Sequence, residues 1–222
     1  MRHRGMDKAV LLLSGGMDSS TLLFYVTRRL GVKDVHTLSF VYGQKHAREL
    51  AMARWQAHAA GIGTHVEWTL SPPSAMAAGS ALTDYGMTVP DLADVPEADR
   101  NQPSTYVPNR NMMLLSLAAA YAESQGICDV FYGAQAQDRY GYWDCTPEFV
   151  ERMNAVLALN RKRPIQVHAP FARKSKADIV GLGRELGVDY DHTWSCYRGG
   201  ETPCGACPSC VERNQATGQI EN

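Results

Sequence analysis

A polar, glycine-containing turn directly after an apolar run carries the first side chains that could do chemistry. The stretch consists of Leu13, Ser14, Gly15, Gly16, Met17, Asp18, Ser19, Ser20 and Thr21. Adjacent glycines let a backbone adopt positive φ and approach a ligand closely. The amides of such a turn, together with the helix N-terminus behind it, form an anion site. The sequence therefore predicts that this turn binds the phosphates of a nucleotide.

Asp18 is unusual in a phosphate site because its charge repels phosphate. A Mg²⁺ ion bridging Asp18 and the phosphates would explain it. The turn lacks the Gly-Lys-Ser/Thr element of a Walker A loop, and it is not the dinucleotide motif Gly-x-Gly-x-x-Gly. The simpler alternative is a tight turn in which Asp18 or Ser19 caps a helix.

A second cluster lies near the end of the sequence, where four of the six cysteines fall together. Cys196, Cys204, Cys207 and Cys210 have the spacing Cys-x7-Cys-x2-Cys-x2-Cys. Four thiolates fill a tetrahedron and leave no open position, which predicts a structural Zn²⁺ site. An iron–sulfur cluster uses the same ligands, and free or redox-active thiols are the remaining alternative.

Alternating strand-like and helix-like segments must position these groups. Apolar runs predict strands at 8–13, 35–42, 65–70, 129–132 and 165–168, and helical spacing predicts helices at 19–30, 47–60, 111–124, 147–159 and 175–186. This alternation is typical of an α/β fold with an open parallel sheet and helices on both faces. Ligands of such folds bind at the carboxyl ends of the strands, where Tyr42 and Gln44 follow the second predicted strand.

Two regions depart from the alternation. Residues 71–108 contain six prolines, with four acids between Asp91 and Asp99, which indicates a long excursion with little regular structure that is either a lid or disordered. From Thr193 onward the sequence is rich in Cys, Gly and Pro. We therefore divide the chain into an α/β nucleotide-binding domain, 1–192, and a small metal-binding segment, 193–222.

Composition excludes several protein classes. The 222 residues are 45% hydrophobic and 20% charged, which is ordinary for a globular protein and excludes a disordered one. The net charge of −1 argues against direct nucleic-acid binding. No apolar run approaches the ~18–20 residues of a membrane span, and the five-residue run near the start is too short for a secretion signal. We expect a cytoplasmic protein with no membrane partner.

The Ser-Gly-Gly-x-Asp-Ser turn resembles the PP-loop ATP pyrophosphatases, whose fold is of the adenine nucleotide alpha hydrolase type. Those enzymes cleave ATP between the α- and β-phosphates and adenylate an oxygen of their substrate. Further strings narrow the resemblance, and they are Tyr42-Gly43-Gln44-Lys45-His46, Val107-Pro108-Asn109-Arg110-Asn111, Gly141-Tyr142-Trp143-Asp144-Cys145, Lys174-Ser175-Lys176 and Thr193-Trp194-Ser195-Cys196-Tyr197. Together they are similar to the 7-cyano-7-deazaguanine synthase family.

The resemblance implies a reaction and a set of roles. A member of this family converts 7-carboxy-7-deazaguanine, ammonia and ATP into the nitrile through an adenylated carboxylate and an adenylated amide, and relatives are often homodimers. Residues 13–21, Tyr42 and Gln44 would bind ATP, and Asp18 would orient Mg²⁺. The catalytic residues would be Asp18, Arg110 and Lys176. Arg110 would bind a phosphate, and Lys176 or Lys174 would reach the leaving pyrophosphate.

Substrate recognition is expected from the loop at 138–146. Tyr140, Tyr142 or Trp143 would stack on the planar base, and Asp144 would accept its N–H donors. The family usually reads Asp-Tyr-Ser-Gly-Tyr-Pro-Asp-Cys-Arg here, whereas this chain has Trp143 for the proline and Thr146 for the final arginine. Either Arg139 compensates for the missing arginine or the substrate differs.

Three other functions stay open at this point. A diverged relative would activate the same carboxylate and pass it to another amine, such as a protein N-terminus. A PP-loop enzyme acting directly on tRNA would need a basic face, which the net charge disfavours. A zinc-organised interaction module would have no ATP turnover.

Overall fold

The protein folds around a five-stranded parallel sheet. A computed structural model describes residues 6–45, 48–71, 79–97, 103–138 and 141–218. The strands are β1 (Lys8–Leu12), β2 (Asp34–Val41), β3 (Thr64–Thr69), β4 (Asp129–Phe131) and β5 (Gln166–His168), in the order β3-β2-β1-β4-β5. All neighbouring pairs are parallel. The predicted open parallel sheet is confirmed, with each strand ending within one residue of its predicted bounds.

The central strand β1 is buried on both sides because helices cover both faces of the sheet. Ala9, Val10 and Leu11 are inaccessible to solvent. Val10 packs into one core with Leu115 and Ala118, whereas Ala9 and Leu11 pack into another on the opposite face. A strand covered on both faces reads as a continuous apolar run, which is why β1 shows no alternation in the sequence.

The described part of the chain contains six α-helices. They are α1 (Met17–Phe24), α2 (Arg48–Ala59), α3 (Arg110–Gln125), α4 (Pro147–Leu157), α5 (Lys176–Glu185) and α6 (Pro208–Thr217). None of these described helices has the length and apolar composition needed to cross a membrane. Five of the six match predicted helices, whereas α6 was not predicted.

The predicted helix at 19–30 is wrong in its second half. The α-helical part ends at Phe24, and Tyr25–Arg29 forms a π-helical turn. The amide of Leu30 donates to the carbonyl of Tyr25 at 3.0 Å. The Thr27 hydroxyl also donates to the carbonyl of Leu23 at 2.8 Å, and such back-bonding competes with regular helix geometry.

The described parts of the excursion are packed against the cysteine segment. Their described regular structure is a single 3₁₀ turn, Leu92–Asp94, in agreement with the prediction of little regular structure. Ala81 and Val89 are buried in one small core with Cys196, Cys207 and Cys210. The predicted boundary between residues 192 and 193 stays a prediction.

Candidate active site

A cleft of about 230 Å³ opens at the carboxyl ends of β1 and β4. In the sheet, β2 and β3 lie on one side of β1, and β4 and β5 lie on the other. The strand order therefore reverses between β1 and β4. Open α/β sheets bind ligands at such a switch point. The cleft wall includes many residues that the sequence predicted, and these are Leu13, Ser14, Gly16, Met17, Asp18, Ser19, Tyr42, Arg110, Tyr142 and Lys176.

The turn after β1 is held in one conformation by close packing. Gly15 has φ of +85°, and a Cβ there would overlap the Glu49 carbonyl oxygen and lie 2.7 Å from the amide nitrogen of Ala53. The amide of Gly16 donates to the Ser14 hydroxyl at 3.2 Å, and the Ser14 and Ser19 hydroxyl oxygens are 3.0 Å apart. The turn is therefore pressed against α2.

The N-terminus of α1 faces this cleft with its backbone amides free for an anion. Gly16 is the N-cap residue, and no described side chain caps the helix. The Ser19 hydroxyl accepts from the amide of Ser14 at 3.2 Å and donates to the Gly16 carbonyl at 3.2 Å, so it does not cap an amide of the helix. The alternative in which Asp18 or Ser19 caps the helix is therefore wrong, whereas an anion site at the helix start remains consistent with the geometry.

Four residues of the predicted nucleotide-binding set lie outside the cleft wall, and these are Gly15, Ser20, Thr21 and Gln44. The Thr21 hydroxyl donates to the Met17 carbonyl at 2.9 Å and lies 2.7 Å from the Tyr190 hydroxyl. Gln44 accepts from the amide of Tyr42 at 2.7 Å and donates to the Phe40 carbonyl at 2.8 Å. These two side chains support the loops around the cleft, and a direct contact with ATP stays a prediction.

Lys176 and Asp18 form the charged centre of the cleft. Nζ of Lys176 lies 2.5 Å from Oδ2 of Asp18. Burial alone would lower the pKa of Lys176, but the carboxylates of Asp18, Asp138 and Glu212 raise it above its ordinary value. Of the two lysine candidates only Lys176 reaches the cleft wall, because Lys174 is exposed and outside it.

The second oxygen of Asp18 fits a metal ligand. Oδ1 is buried and has no hydrogen-bond partner among the described residues. A buried carboxylate oxygen without a partner costs free energy. A Mg²⁺ ion, which prefers oxygen ligands and usually binds through one or two carboxylates plus phosphates, would supply that partner.

Asp138 was not predicted as a site residue, although it begins the quoted loop at 138–146. Its carboxylate accepts from the amide of Gln135 at 3.0 Å and from Nε2 of the same residue at 3.3 Å. Burial raises the pKa of Asp138 from 3.8 to about 6, against the opposing effect of Lys176 and with a further rise from Asp18. A titrating carboxyl group thus stands beside the lysine.

Arg110 lies at the first turn of α3 and presents its guanidinium to the cleft. Its Nη1 donates to the Tyr42 hydroxyl over a long 3.5 Å, and it forms no ion pair within the described ranges of the chain. Arginine is charged at any ordinary pH. The partly buried cation is consistent with binding an anionic ligand, as predicted.

A second cleft of about 450 Å³ adjoins the first. The two clefts share five wall residues, which are Asp138, Tyr142, Tyr197, Ser209 and Glu212. We call this shared wall the junction. Most of the other wall residues of the second cleft come from the excursion, and these are Pro90, Leu92, Asp94, Val95, Pro96 and Pro103–Thr105; Gln137, Gly141 and Pro208 complete the wall.

The predicted substrate residues separate into different environments. Tyr142 lies at the junction, with its hydroxyl 2.9 Å from that of Thr105. Asp144 is buried, lines neither cleft, and accepts from the amide of Asn111 at 2.9 Å. Trp143 also lines neither cleft, and its Nε1 donates to the Tyr106 hydroxyl at 2.8 Å. Tyr140, Arg139 and His46 lie outside the described residues.

Thr146, which stands where the family usually has arginine, has a structural role. Its hydroxyl accepts from the amide of Phe149 at 3.1 Å and donates to the Trp143 carbonyl at 2.9 Å. It is the N-cap of α4, with Pro147 in the first turn. The threonine therefore stabilises the start of the helix in a way common at this position.

The four cysteines form a candidate metal centre. Their sulfur atoms all lie within 4.8 Å of one another, and Zn–S bonds of ~2.3 Å in a tetrahedron need sulfur separations of roughly 3.8 Å. A hydrogen bond from the Cys210 thiol lowers the pKa of Cys207 to about 5, which favours the thiolate. The amide of Cys204 donates to the sulfur of Cys196 at 3.4 Å. The donor set fits one Zn²⁺ or an iron–sulfur cluster.

The cysteine segment also supplies walls of both clefts, which the sequence analysis missed. Trp194 lines the first cleft, and its amide donates to the Gly15 carbonyl at 3.0 Å. Ser209 and Glu212 reach the junction from α6. A carboxylate oxygen of Glu212 lies 4.0 Å from Nζ of Lys176. The cysteine cluster and the first cleft are therefore neighbours in the fold.

Comparison with known proteins assigns the chain to a family. The family model described as "Queuosine biosynthesis protein QueC" matches residues 8–221. The chain belongs to the QueC family. The resemblance inferred from the PP-loop and the cysteine spacing is thereby confirmed.

Curated QueC-family relatives match over most of their length. A protein of Archaeoglobus fulgidus is 46% identical over 213 residues, which cover 94% of this chain and 85% of the relative. One from Marinobacter nauticus is 45% identical over 213 residues, with 95% and 92% covered. Both are named 7-cyano-7-deazaguanine synthase. The solved structure of NMN synthetase from Francisella tularensis shares the fold, with a TM-score of 0.55, 13% identity, and 100% and 81% of the two chains covered.

Proposed function

We propose that this QueC-family chain is an ATP-dependent carbon–nitrogen ligase that converts 7-carboxy-7-deazaguanine and ammonia into 7-cyano-7-deazaguanine. The observation that carries the proposal is the PP-loop cleft in a chain that is 46% identical to a relative named 7-cyano-7-deazaguanine synthase. A carboxylate is inert toward ammonia because its oxygen is a poor leaving group. Adenylation attaches AMP to that oxygen, and AMP is a good leaving group.

The reaction needs two adenylations. A carboxylate oxygen attacks the α-phosphorus of ATP, and pyrophosphate leaves. Ammonia then displaces AMP and gives the amide with loss of a proton. The amide oxygen attacks a second ATP, and loss of AMP and the remaining N–H protons leaves the nitrile. Such chemistry depends mainly on positioning and on stabilising charge at the phosphates.

The residues of the first cleft have the charges that these steps require. We assign the free amides at the start of α1, with the hydroxyls of Ser14 and Ser19, to the pyrophosphate end of ATP. Lys176 would neutralise the leaving pyrophosphate, and Arg110 would bind phosphate oxygens. Asp138 stands at the junction, where protons from ammonia and the amide must leave.

Two metals belong to the proposal. Mg²⁺ at Asp18 would offset the negative charge of the phosphates when ATP is bound. Zn²⁺ at the four cysteines would be structural, because four protein ligands leave no position for a reactant. We assign to that site the ordering of the segment that carries Trp194, Ser209 and Glu212.

One incubation tests the proposal. The purified protein with ATP, Mg²⁺, ammonium and 7-carboxy-7-deazaguanine should release AMP and pyrophosphate, and the base should lose about 19 Da, as expected for a carboxylic acid that becomes a nitrile. Omitting ammonium should stop the mass change. Pyrophosphate release without the nitrile in the complete mixture would refute the ligase function and revive transfer to another amine, which no present observation favours.

Assembly and location are further expectations. We propose a homodimer in the cytoplasm, in keeping with the resemblance to dimeric relatives and with cysteines suited to a reducing compartment. Val156 in the last turn of α4 and Leu159 just after the helix are exposed by 63% and 77% and could contribute to an interface between two chains. Sedimentation of the purified protein would show one species of twice the chain mass, and a monomer would contradict the dimer.

A further inference from the structure

We infer that the second cleft holds the flat deazapurine ring of the acid, and that Asp94 accepts the N–H donors on the ring edge remote from carbon 7. The reacting carboxylate then lies at the junction. The inference rests on the proposed function and adds a substrate site to it. Asp94 replaces Asp144 as the expected partner of those N–H donors.

The position of the cleft is the first argument. The acid must bring its carboxylate to the α-phosphate, so its site has to open directly onto the nucleotide cleft. The second cleft does so through the five shared residues of the junction. Lys176 lies beside two of these, Asp138 and Glu212, and supplies positive charge where a carboxylate meets a phosphate.

The second argument is the shape and polarity of the walls. Leu92, Val95 and Pro103 form an apolar side contributed by the excursion, and Tyr142 and Tyr197 stand at the junction. A volume of about 450 Å³ falls in the range typical of small-molecule sites. Aromatic and aliphatic side chains around a cleft suit a planar heteroaromatic ring.

The third argument is the placement of the acids. A deazaguanine ring carries an N–H and an amino group on its six-membered ring, and carboxylates are strong acceptors for such a pair of donors. Three described carboxylates line the cleft, namely Asp94, Asp138 and Glu212. The last two lie at the junction, on the side of the reacting group. Asp94 is exposed and is not one of the junction residues, and its carboxylate makes no hydrogen bond or ion pair within the described ranges.

The segment that carries Asp94 is fixed in place by the cysteine segment. The amide of Leu92 donates to the Ala206 carbonyl at 2.9 Å. Arg198 donates to the Val89 carbonyl at 2.9 Å and to the carboxylate of Asp91 at 2.5 Å. Because these bonds hold residues 89–92, which lead directly into Asp94, this part of the wall is preorganised for a ligand.

Asp94→Asn gives the first test. The substitution keeps the size of the side chain but replaces an acceptor oxygen with an NH₂ donor. The Kd and KM for the acid should rise about 10- to 100-fold, the cost of one charge-assisted hydrogen bond, with the KM for ATP unchanged. Glu97→Gln is the matched control, since Glu97 is an exposed acid of the same segment outside the cleft wall. It should leave both constants unchanged.

Filling the cleft gives the second test. Val95→Trp should block binding of the acid, measured by calorimetry, and leave ATP binding intact. Ala93→Trp adds the same bulk to an exposed neighbour outside the cleft wall and should have no effect. Normal affinity for the acid in either Asp94→Asn or Val95→Trp would overturn the inference.

The calorimetric readout separates this inference from the proposed function. If the wild-type protein binds the acid, and the two cleft variants do not, the ring site holds even when no nitrile forms. In that case only the ligase function fails. If the wild-type protein makes the nitrile while the variants keep full affinity, the function holds and the site is elsewhere.

Discussion

The contact between Lys176 and Asp18 joins a cation and an anion at the start of two helices, α5 and α1. A capping box of Ser175 and Asp178 fixes the first turn of α5 and so directs the lysine into the cleft. Asp18 keeps one buried oxygen without a described partner. The pair is therefore arranged for a ligand that brings both negative charge and a cation, as ATP with Mg²⁺ does.

Asp18→Asn should reduce pyrophosphate release about 100- to 1,000-fold, because a neutral amide is a poor Mg²⁺ ligand and no longer balances Lys176. A coupled assay for pyrophosphate at saturating acid would measure it. Asp34→Asn changes a partly exposed carboxylate at the amino end of β2 and should keep full activity. A near-normal rate in the Asp18 variant would contradict the assigned role.

Asp138 predicts how stability depends on pH. Its folded pKa of about 6 exceeds the ordinary 3.8, so the folded state binds the proton more tightly than the unfolded state. This contribution to stability is complete below pH ~4 and is lost as the pH rises through ~6. Asp138→Asn has no titrating group at this position, so the variant does not lose this stability as the pH rises. The asparagine side-chain oxygen can still accept from the amide of Gln135. The Tm of the variant relative to wild type should be higher at pH ~8 than at pH ~4, and a pH-independent difference would refute the shift.

At the level of elements, the turn between β1 and α1 depends on its close approach to α2. Gly15→Ala adds positive-φ strain of about 1–2 kcal/mol and an overlap with the Glu49 carbonyl that costs roughly 1–3 kcal/mol more. Gly31→Ala is the matched control, since Gly31 has φ of +73° and open space around it. Denaturant unfolding should show the larger loss for Gly15→Ala. Equal losses would mean that the turn is not pressed on α2.

The strands and most helices could be predicted because buried apolar runs and helical spacing are local properties. The π-helical turn at Tyr25–Arg29 could not be predicted, because α- and π-helical turns differ only in which carbonyl accepts each amide hydrogen bond. Apolar spacing does not determine that. The helix α6 was missed because Glu212, Arg213 and Asn214 give it no apolar stripe. Cys207 is its N-cap and Cys210 lies in its first turn, so the cysteine cluster fixes the start of the helix.

Part of the site could be predicted for a similar reason. The PP-loop and the cysteines are contiguous motifs, so their chemistry is visible in the sequence. Asp138, Ser209 and Glu212 meet at the junction only after distant segments pack together, and no spacing indicates that. Asp144 looked available to a ligand in the sequence, but the first turn of α3 occupies its carboxylate.

For the whole molecule, the metal centre should control activity as well as stability. Chelation or Cys207→Ser should lower the Tm and weaken ATP binding, because the cysteine segment carries Trp194, Tyr197 and Glu212 into the cleft walls. Metal analysis should find about one zinc per chain. Cys128→Ser, at an exposed cysteine outside the cluster, should change neither the Tm nor ATP binding. Iron with inorganic sulfide in place of zinc would contradict the zinc assignment.

The bond from the Trp194 amide to the Gly15 carbonyl, 3.0 Å long, joins the turn after β1 to the cysteine segment beside the proposed nucleotide site. Any ligand that stabilises the glycine turn also favours the conformation of the residues leading into Cys196. By thermodynamic linkage, bound zinc then raises the affinity for ATP, and bound ATP raises the affinity for zinc by the same factor. A non-hydrolysable ATP analogue should therefore raise the equilibrium affinity for zinc, measured in competition with a chelator, and the demetallated protein should bind that analogue more weakly by the same factor.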